Sequence, residues 1–187
     1  MKTSCGWEQK DELMVKYHDE EWGRPLHDDT KLFEFLILEG MQAGLSWMTI
    51  LRKREAFRKA YEGFDVGKVA RFGPEKIDEL MSNPDIIRNR MKIEASINNA
   101  KRFLEVVGEF GSFDRYIWSF VNHQPIVNRW KNLAEIPAKT ELSDVVSNDL
   151  KRRGFKFVGS TVVYAHMQAT GMVIDHLVQC FCHPDNH

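Results

Sequence analysis

The sequence predicts an all-α protein, and three observations carry that reading. Apolar residues recur at spacings of three and four along most of the chain, the period of a helix with one buried face. Capping residues and Gly–Pro breaks fall between these stretches. No set of mutually pairing strands is evident.

Asp28-Asp29-Thr30 offers N-caps ahead of Leu32, Phe33, Phe35, Leu36 and Leu38, which predicts a strong helix start. A second helix is expected from about Ser46, its cap, to Tyr61, and a short one over Val66 to Phe72. Gly73-Pro74 breaks the chain, and Pro74 suits the first turn of a helix with Ile77, Leu80 and Met81 on one face. Ser82-Asn83-Pro84-Asp85 reads as a turn. Ile86 to Val107 is long and amphipathic, with Ile93, Ile97, Ala100 and Leu104 on its stripe, and Phe113, Ile117, Phe120 and Val121 continue the period. Pro125 to Thr140 has no clean period and reads as a loop. Ser143-Asp144 opens another helix and Gly154 ends it. Thr161 to Ala169 is expected to be a buried helix, although Val162-Val163-Tyr164 would suit a strand.

With 187 residues, the chain is expected to form one domain spanning residues 1–187. A 43% hydrophobic and 28% charged composition argues against disorder. No apolar run approaches the roughly 20 residues of a membrane span, and the N-terminus has no apolar signal core, so a cytoplasmic home is expected. Three cysteines favour metal binding or burial over disulfides. The net charge of −1 hides an asymmetry. Residues 1–40 carry 5 basic and 10 acidic side chains, and the remainder carry 21 and 17. Basic residues cluster at Arg52-Lys53-Arg54, at Arg88-Asn89-Arg90 with Lys92, and at Lys151-Arg152-Arg153 with Lys156. Such clusters are solvated helix faces unless they converge on one phosphate-binding surface.

His176 and Cys180 stand four apart, which on a helix puts both on one face. With Cys5 and His18 they make a Cys2His2 set, the chemistry that tetrahedral zinc prefers. Four protein ligands would make such a zinc structural. Spacing alone also allows buried thiols and ordinary histidines, with Cys182 and His183 as rival ligands. Trp7, Tyr17, Trp22 and Trp47 gather near the N-terminus around Glu39-Gly40-Met41-Gln42-Ala43-Gly44-Leu45-Ser46-Trp47. There a carboxylate ends an apolar run and is followed by small residues, an apolar Leu and a Trp.

Five blocks appear in order along the chain: Cys5-Gly6-Trp7, Tyr17 to Gly23, Leu38 to Trp47, Trp118 to Pro125 and Lys151 to Gly159. Together they resemble the motifs of the 3-methyladenine DNA glycosylase I family. The resemblance implies a helix-hairpin-helix glycosylase fold whose hairpin lies around residues 83–90. It also implies a zinc ion joining the terminal segments through Cys5, His18, His176 and Cys180. It places Glu39, Tyr17 and Trp47 in a base pocket, with Trp7 and Trp22 nearby. Gln42, Gly44 and the wedge Leu45 would enter DNA, and Arg90 and Lys92 would contact it. Met14 departs from the pattern, standing where the family often has a tyrosine and filling that wall without a ring face.

The implied activity is removal of 3-methyladenine from double-stranded alkylated DNA by a monomeric, monofunctional enzyme. It would leave free base and an abasic site, with no catalytic aspartate or Schiff-base lysine nominated. Two competing readings remain at this stage: a zinc-stapled module that binds damaged DNA without catalysis, and a glycosylase shifted toward another alkylated purine.

Overall fold

The computed structural model describes residues 2–187 and is built almost entirely of helices. At its centre is α2 (Asp29–Met41), in which every residue from Leu32 to Met41 is buried. A helix apolar all round has to be wrapped by others. α3 (Trp47–Ala60), α6 (Arg90–Phe110), α7 (Phe113–Ser119) and α9 (Ser160–Ala169) all pack against α2. α1 (Glu12–Glu20) packs on α3. α4 (Val66–Ala70) and α5 (Pro74–Met81) pack on α6, and α8 (Glu141–Arg152) packs on α9.

The predicted caps form. Asp28 accepts from the Lys31 N–H at 2.9 Å, and Ser46 accepts from the Thr49 N–H at 3.2 Å. Asp29, the first residue of α2, also accepts from the N–H groups of Phe113 and Asp114 at 2.9 and 2.8 Å, so the start of α2 caps the start of α7.

Several expectations need correction. α1 is not evident from periodicity, because its buried face is only Met14, Tyr17 and His18. Within the amphipathic 86–107 stretch the long helix begins at Arg90, directly after the expected hairpin, since Asn89 accepts from the Lys92 N–H and fixes the cap there. Leu104 is exposed on that helix, while Phe103 and Val106 face the core. α8 is opened by Thr140 rather than Ser143. Ser143 is the third residue of a reciprocal capping box in which each side chain accepts from the other's backbone N–H.

The 125–140 stretch is not wholly irregular. Its β1 (Ile126–Val127) pairs in parallel with β2 (Val173–Ile174), with Ile126 opposite Val173 and Val127 opposite Ile174. This two-residue pairing anchors the 128–139 segment beside the C-terminal residues. Just before β2, Gly171 lets the Arg24–Pro25 backbone pack close: at φ +71°, a Cβ there would lie 2.3 Å from the Arg24 carbonyl carbon.

Candidate active site

Glu39 sits in the last turn of α2, drawn inside with its helix and only 5% exposed. Burial alone pushes its carboxyl up to about 8, with no hydrogen bond or opposite charge among the described residues to offset it. It faces a cavity of about 400 Å³ that it shares with Trp7, Met14, Tyr17, Trp22, Gln42 and Trp47. The sequence-predicted pocket residues are therefore brought together by α1, the end of α2 and the start of α3.

The aromatic walls are in mutual contact. Tyr17 and Trp47 have ring centroids 5.4 Å apart, and Trp7 meets Trp22 edge-on at 5.2 Å. Burial, helped by Glu39, pushes the Tyr17 phenol well above its usual range, so it stays a neutral hydroxyl. The indole N–H groups of Trp7 and Trp47 are buried without a protein acceptor. A buried donor left unpaired is costly, and it suits a site that a ligand with acceptors completes. Met14, 7% exposed, fills its place in the wall with a thioether.

Beyond Glu39 the chain turns sharply. Leu45 donates its N–H to the Gln42 carbonyl at 2.6 Å. Gly44 has φ +80° with open space around it, and Leu45 projects 40% exposed from the tip. Lys92 does not stand free for a phosphate. Its Nζ is buried and donates to the carbonyls of Met41 and Ala43 at 2.9 and 2.6 Å, holding the end of α2 and the turn behind Leu45. Arg90 is exposed and pairs with Asp78 at 3.0 Å.

The basic clusters have divided fates. Lys53 donates to the carbonyls of Pro84 and Asp85, and Arg52 pairs with Asp11. Arg54 is buried against Glu34 and Glu21. Arg153 stacks over Phe110 and Tyr116 and pairs with Asp149 and Glu109.

The four predicted metal ligands also converge, although 176–180 is not helical. A turn in which Cys180 donates its N–H to the Leu177 carbonyl at 2.8 Å brings the last two together. The ligand atoms of Cys5, His18, His176 and Cys180 lie within 4.8 Å of one another, all on buried residues. Cys5 Sγ to His176 Nδ1 is 3.5 Å, as is Cys180 Sγ to His18 Nε2, and Cys180 Sγ to His176 Nδ1 is 3.7 Å. Zinc bonds of about 2.3 Å to sulfur and about 2.0 Å to nitrogen at tetrahedral angles put such atoms roughly 3.5 Å apart, so the donor set fits that ion.

Both imidazoles are oriented for it. His18 Nδ1 donates to Asp19 at 2.6 Å and His176 Nε2 donates to the Trp22 carbonyl at 2.8 Å, leaving the other nitrogens as lone-pair donors toward the thiols. Gly23, at φ +74°, is needed beside them, because a Cβ there would come within 3.0 Å of the His176 ring. His183 is not a rival: it donates through Nε2 to the Asn128 carbonyl and accepts at Nδ1 from the Asp185 N–H. Cys182 approaches His18 and Asp19 from outside the four.

A model of the methyladenine glycosylase family matches residues 7–183. The chain belongs to that family. It is 50% identical over 182 residues to DNA-3-methyladenine glycosylase 1 of Escherichia coli K12, covering 97% of each chain. It is also 50% identical to DNA-3-methyladenine glycosylase of Haemophilus influenzae, covering 97% of this chain and 98% of that one. Among solved structures it superimposes with a TM-score of 0.94 at 38% identity on the 3-methyladenine DNA glycosylase I of Staphylococcus aureus, a study of 3-methyladenine recognition. That match covers 97% of this chain and 96% of the other.

Within the methyladenine glycosylase frame, sequence reasoning missed one wall of the cavity. Leu133, Ile136, Ala165 and Gln168 line it as well. Leu133 and Ile136 come from the segment read only as loop, and Gln168 from the last turn of α9. The apolar Leu133 and Ile136 inside that segment were the available signal. Among the described residues, no helix is long and apolar enough to cross a membrane.

Proposed function

We propose that this methyladenine glycosylase hydrolyses the N-glycosidic bond of 3-methyladenine in double-stranded alkylated DNA, as a monofunctional, monomeric enzyme that flips the base out of the duplex. One observation carries the reading: a buried carboxyl, Glu39, with no partner among the described residues, faces a cavity walled by aromatic rings in contact. A binding module without catalysis has no use for an unpaired buried acid.

Adenine methylated at N3 carries positive charge. Tyr17 and Trp47 offer it π faces, each contact supplying about 0.5–2 kcal/mol. Ionised Glu39 stabilises the cation and accepts from its exocyclic amine. The charged base is already a good leaving group, so the C1′–N9 bond breaks with its electron pair passing to the base, which leaves neutral, and water supplies the hydroxyl of the abasic sugar and releases its other proton to solvent. Binding and electrostatics then account for most of the rate enhancement. Glu39 is the one carboxylate among the described residues that line the cavity, and no lysine lines it. Both facts support a monofunctional reaction without a covalent amine adduct.

The turn after α2 supplies the duplex-opening part. Leu45 wedges into the stack, Gly44 lets backbone approach closely, and Gln42 enters the space the base vacates. The α5–turn–α6 unit acts as the helix-hairpin-helix: the N–H groups at the start of α6 bind a phosphate, with Arg90 nearby. Zinc held by Cys5, His18, His176 and Cys180 has no open position, so when bound it supplies only a clip between the two terminal segments.

Incubation with methylated DNA followed by chromatography of the released bases tests the assignment. Free 3-methyladenine with intact strands is expected. Failure to release it, or strand nicking through a trappable covalent adduct, would overturn this reading.

A further inference from the structure

Asp175 is fully buried and lies outside the cavity, yet four donors converge on it. Asn128 Nδ2 and Trp130 Nε1 donate to Oδ1 at 2.7 and 2.8 Å. The Tyr164 hydroxyl and Gln168 Nε2 donate to Oδ2 at 2.5 and 2.9 Å. An indole N–H can only donate, and a carboxylate can only accept. The Gln168 amide is therefore turned with its NH2 to Asp175, its Oε1 is the end left free of that carboxylate, and the residue lines the cavity. Among the described residues, that oxygen has no protein partner and is not buried without one.

A lone glutamine reads nothing firmly, because its amide can turn to present either oxygen or NH2. Asp175 removes that freedom. A purine nucleotide methylated at N3 and carrying an amine at C6 has one N–H donor, that amine. A 6-oxo purine presents a carbonyl oxygen at the same position.

We propose that Gln168 is a specificity-determining residue: held by Asp175 with its carbonyl oxygen toward the cavity, it accepts from the 6-amino group of the flipped purine and rejects 6-oxo purines. Asp175 is its positioning residue. The same carboxylate takes hydrogen bonds from Asn128 and Trp130, so it also anchors the segment that brings Leu133 and Ile136 to the cavity rim. The proposal rests on the glycosylase reading.

The test is titration of free 3-methyladenine and free 3-methylhypoxanthine, followed by tryptophan fluorescence, into the zinc-loaded wild type, Gln168→Met and Asp175→Asn. The wild type is expected to bind the 6-amino base at least about 30-fold more tightly. Gln168→Met, similar in volume but without an acceptor, should reduce that ratio about tenfold, the scale of a lost buried polar contact.

In Asp175→Asn, the donor-only indole of Trp130 keeps the new oxygen on its side. The new NH2 then faces Gln168 and turns its amide around, so the ratio should fall at least as far and 3-methylhypoxanthine should bind more tightly than to wild type. A merely structural role would weaken both bases equally and leave the ratio unchanged, and that result overturns the proposal. A changed ratio in Gln168→Met alone, with Asp175→Asn folded and unchanged, overturns the part given to Asp175. Should Asp175→Asn not fold, Gln168→Met decides. Release of 3-methyladenine from methylated DNA by the wild type, run alongside, separates failure of this inference from failure of the glycosylase assignment.

Discussion

The base cavity and the Cys–His clip are both buried polar clusters built partly from the N-terminal segment, yet they are finished in opposite ways. In the clip, each imidazole has one nitrogen fixed by an outer partner, Asp19 or the Trp22 carbonyl, and the other aimed at the thiols. Nothing is left to choose except the ion. In the cavity, Glu39 has no partner and the indole N–H groups of Trp7 and Trp47 have no acceptor. Folding has left these groups desolvated and unpaired, a cost of about 1–3 kcal/mol for each uncharged group. The contrast separates a donor set already fixed by its outer partners from a set of buried groups whose hydrogen-bonding and charge the fold leaves unmet.

The contrast can be broken most directly at Glu39. Glu39→Gln should lower excision of 3-methyladenine by about 100-fold or more while the protein remains folded. It should also raise thermal stability in a pH-dependent way. The Glu39 carboxyl is higher in the folded protein than in the unfolded chain, so wild-type stability declines as pH rises from the ordinary carboxylate range to about 8. The variant's gain should therefore be negligible at pH 4 and on the order of 5 °C at pH 9. Unchanged excision would remove Glu39 from the site.

At the clip, Cys180→Ser should lose zinc by metal analysis and lower the melting temperature, by on the order of 10 °C. Full zinc retention would show that Cys182 takes its place.

A smaller effect concerns protons. A cationic base needs ionised Glu39, so kcat/KM should rise by up to about tenfold per pH unit toward pH 8 and level off above it. A flat profile from pH 6 to 9 would mean that excision does not depend on that ionisation. Least of all, Leu45→Ala should cost about fivefold on duplex DNA and leave binding of free 3-methyladenine unchanged. Equal loss in both assays would mark Leu45 as a packing residue.

What was legible in the sequence was what is local. The caps at Asp28 and Ser46, the break at Gly73-Pro74 and the apolar period of α2 and α6 need only neighbours three or four residues away. The aromatic set and the Cys–His set were legible because both residue type and family motif marked them. The role of Lys92 was not, since it depends on carbonyls about 50 residues distant that meet it only after α2 and α6 pack. Leu133, Ile136 and Gln168 reach the cavity through the β1–β2 pairing and the Asp175 network, contacts between segments that carry no periodic signal. The spacing of His176 and Cys180 suggested a helix, and a turn brings the same two side chains together.

Lys92 ties the cavity to the exposed tip. Glu39 in the cavity and Leu45 at the tip lie six positions apart on one chain segment, and a single ammonium clamps the carbonyls between them. Under the proposed function the clamp would couple the leucine at the tip to the carboxylate in the cavity, so that a displacement at one end is felt at the other.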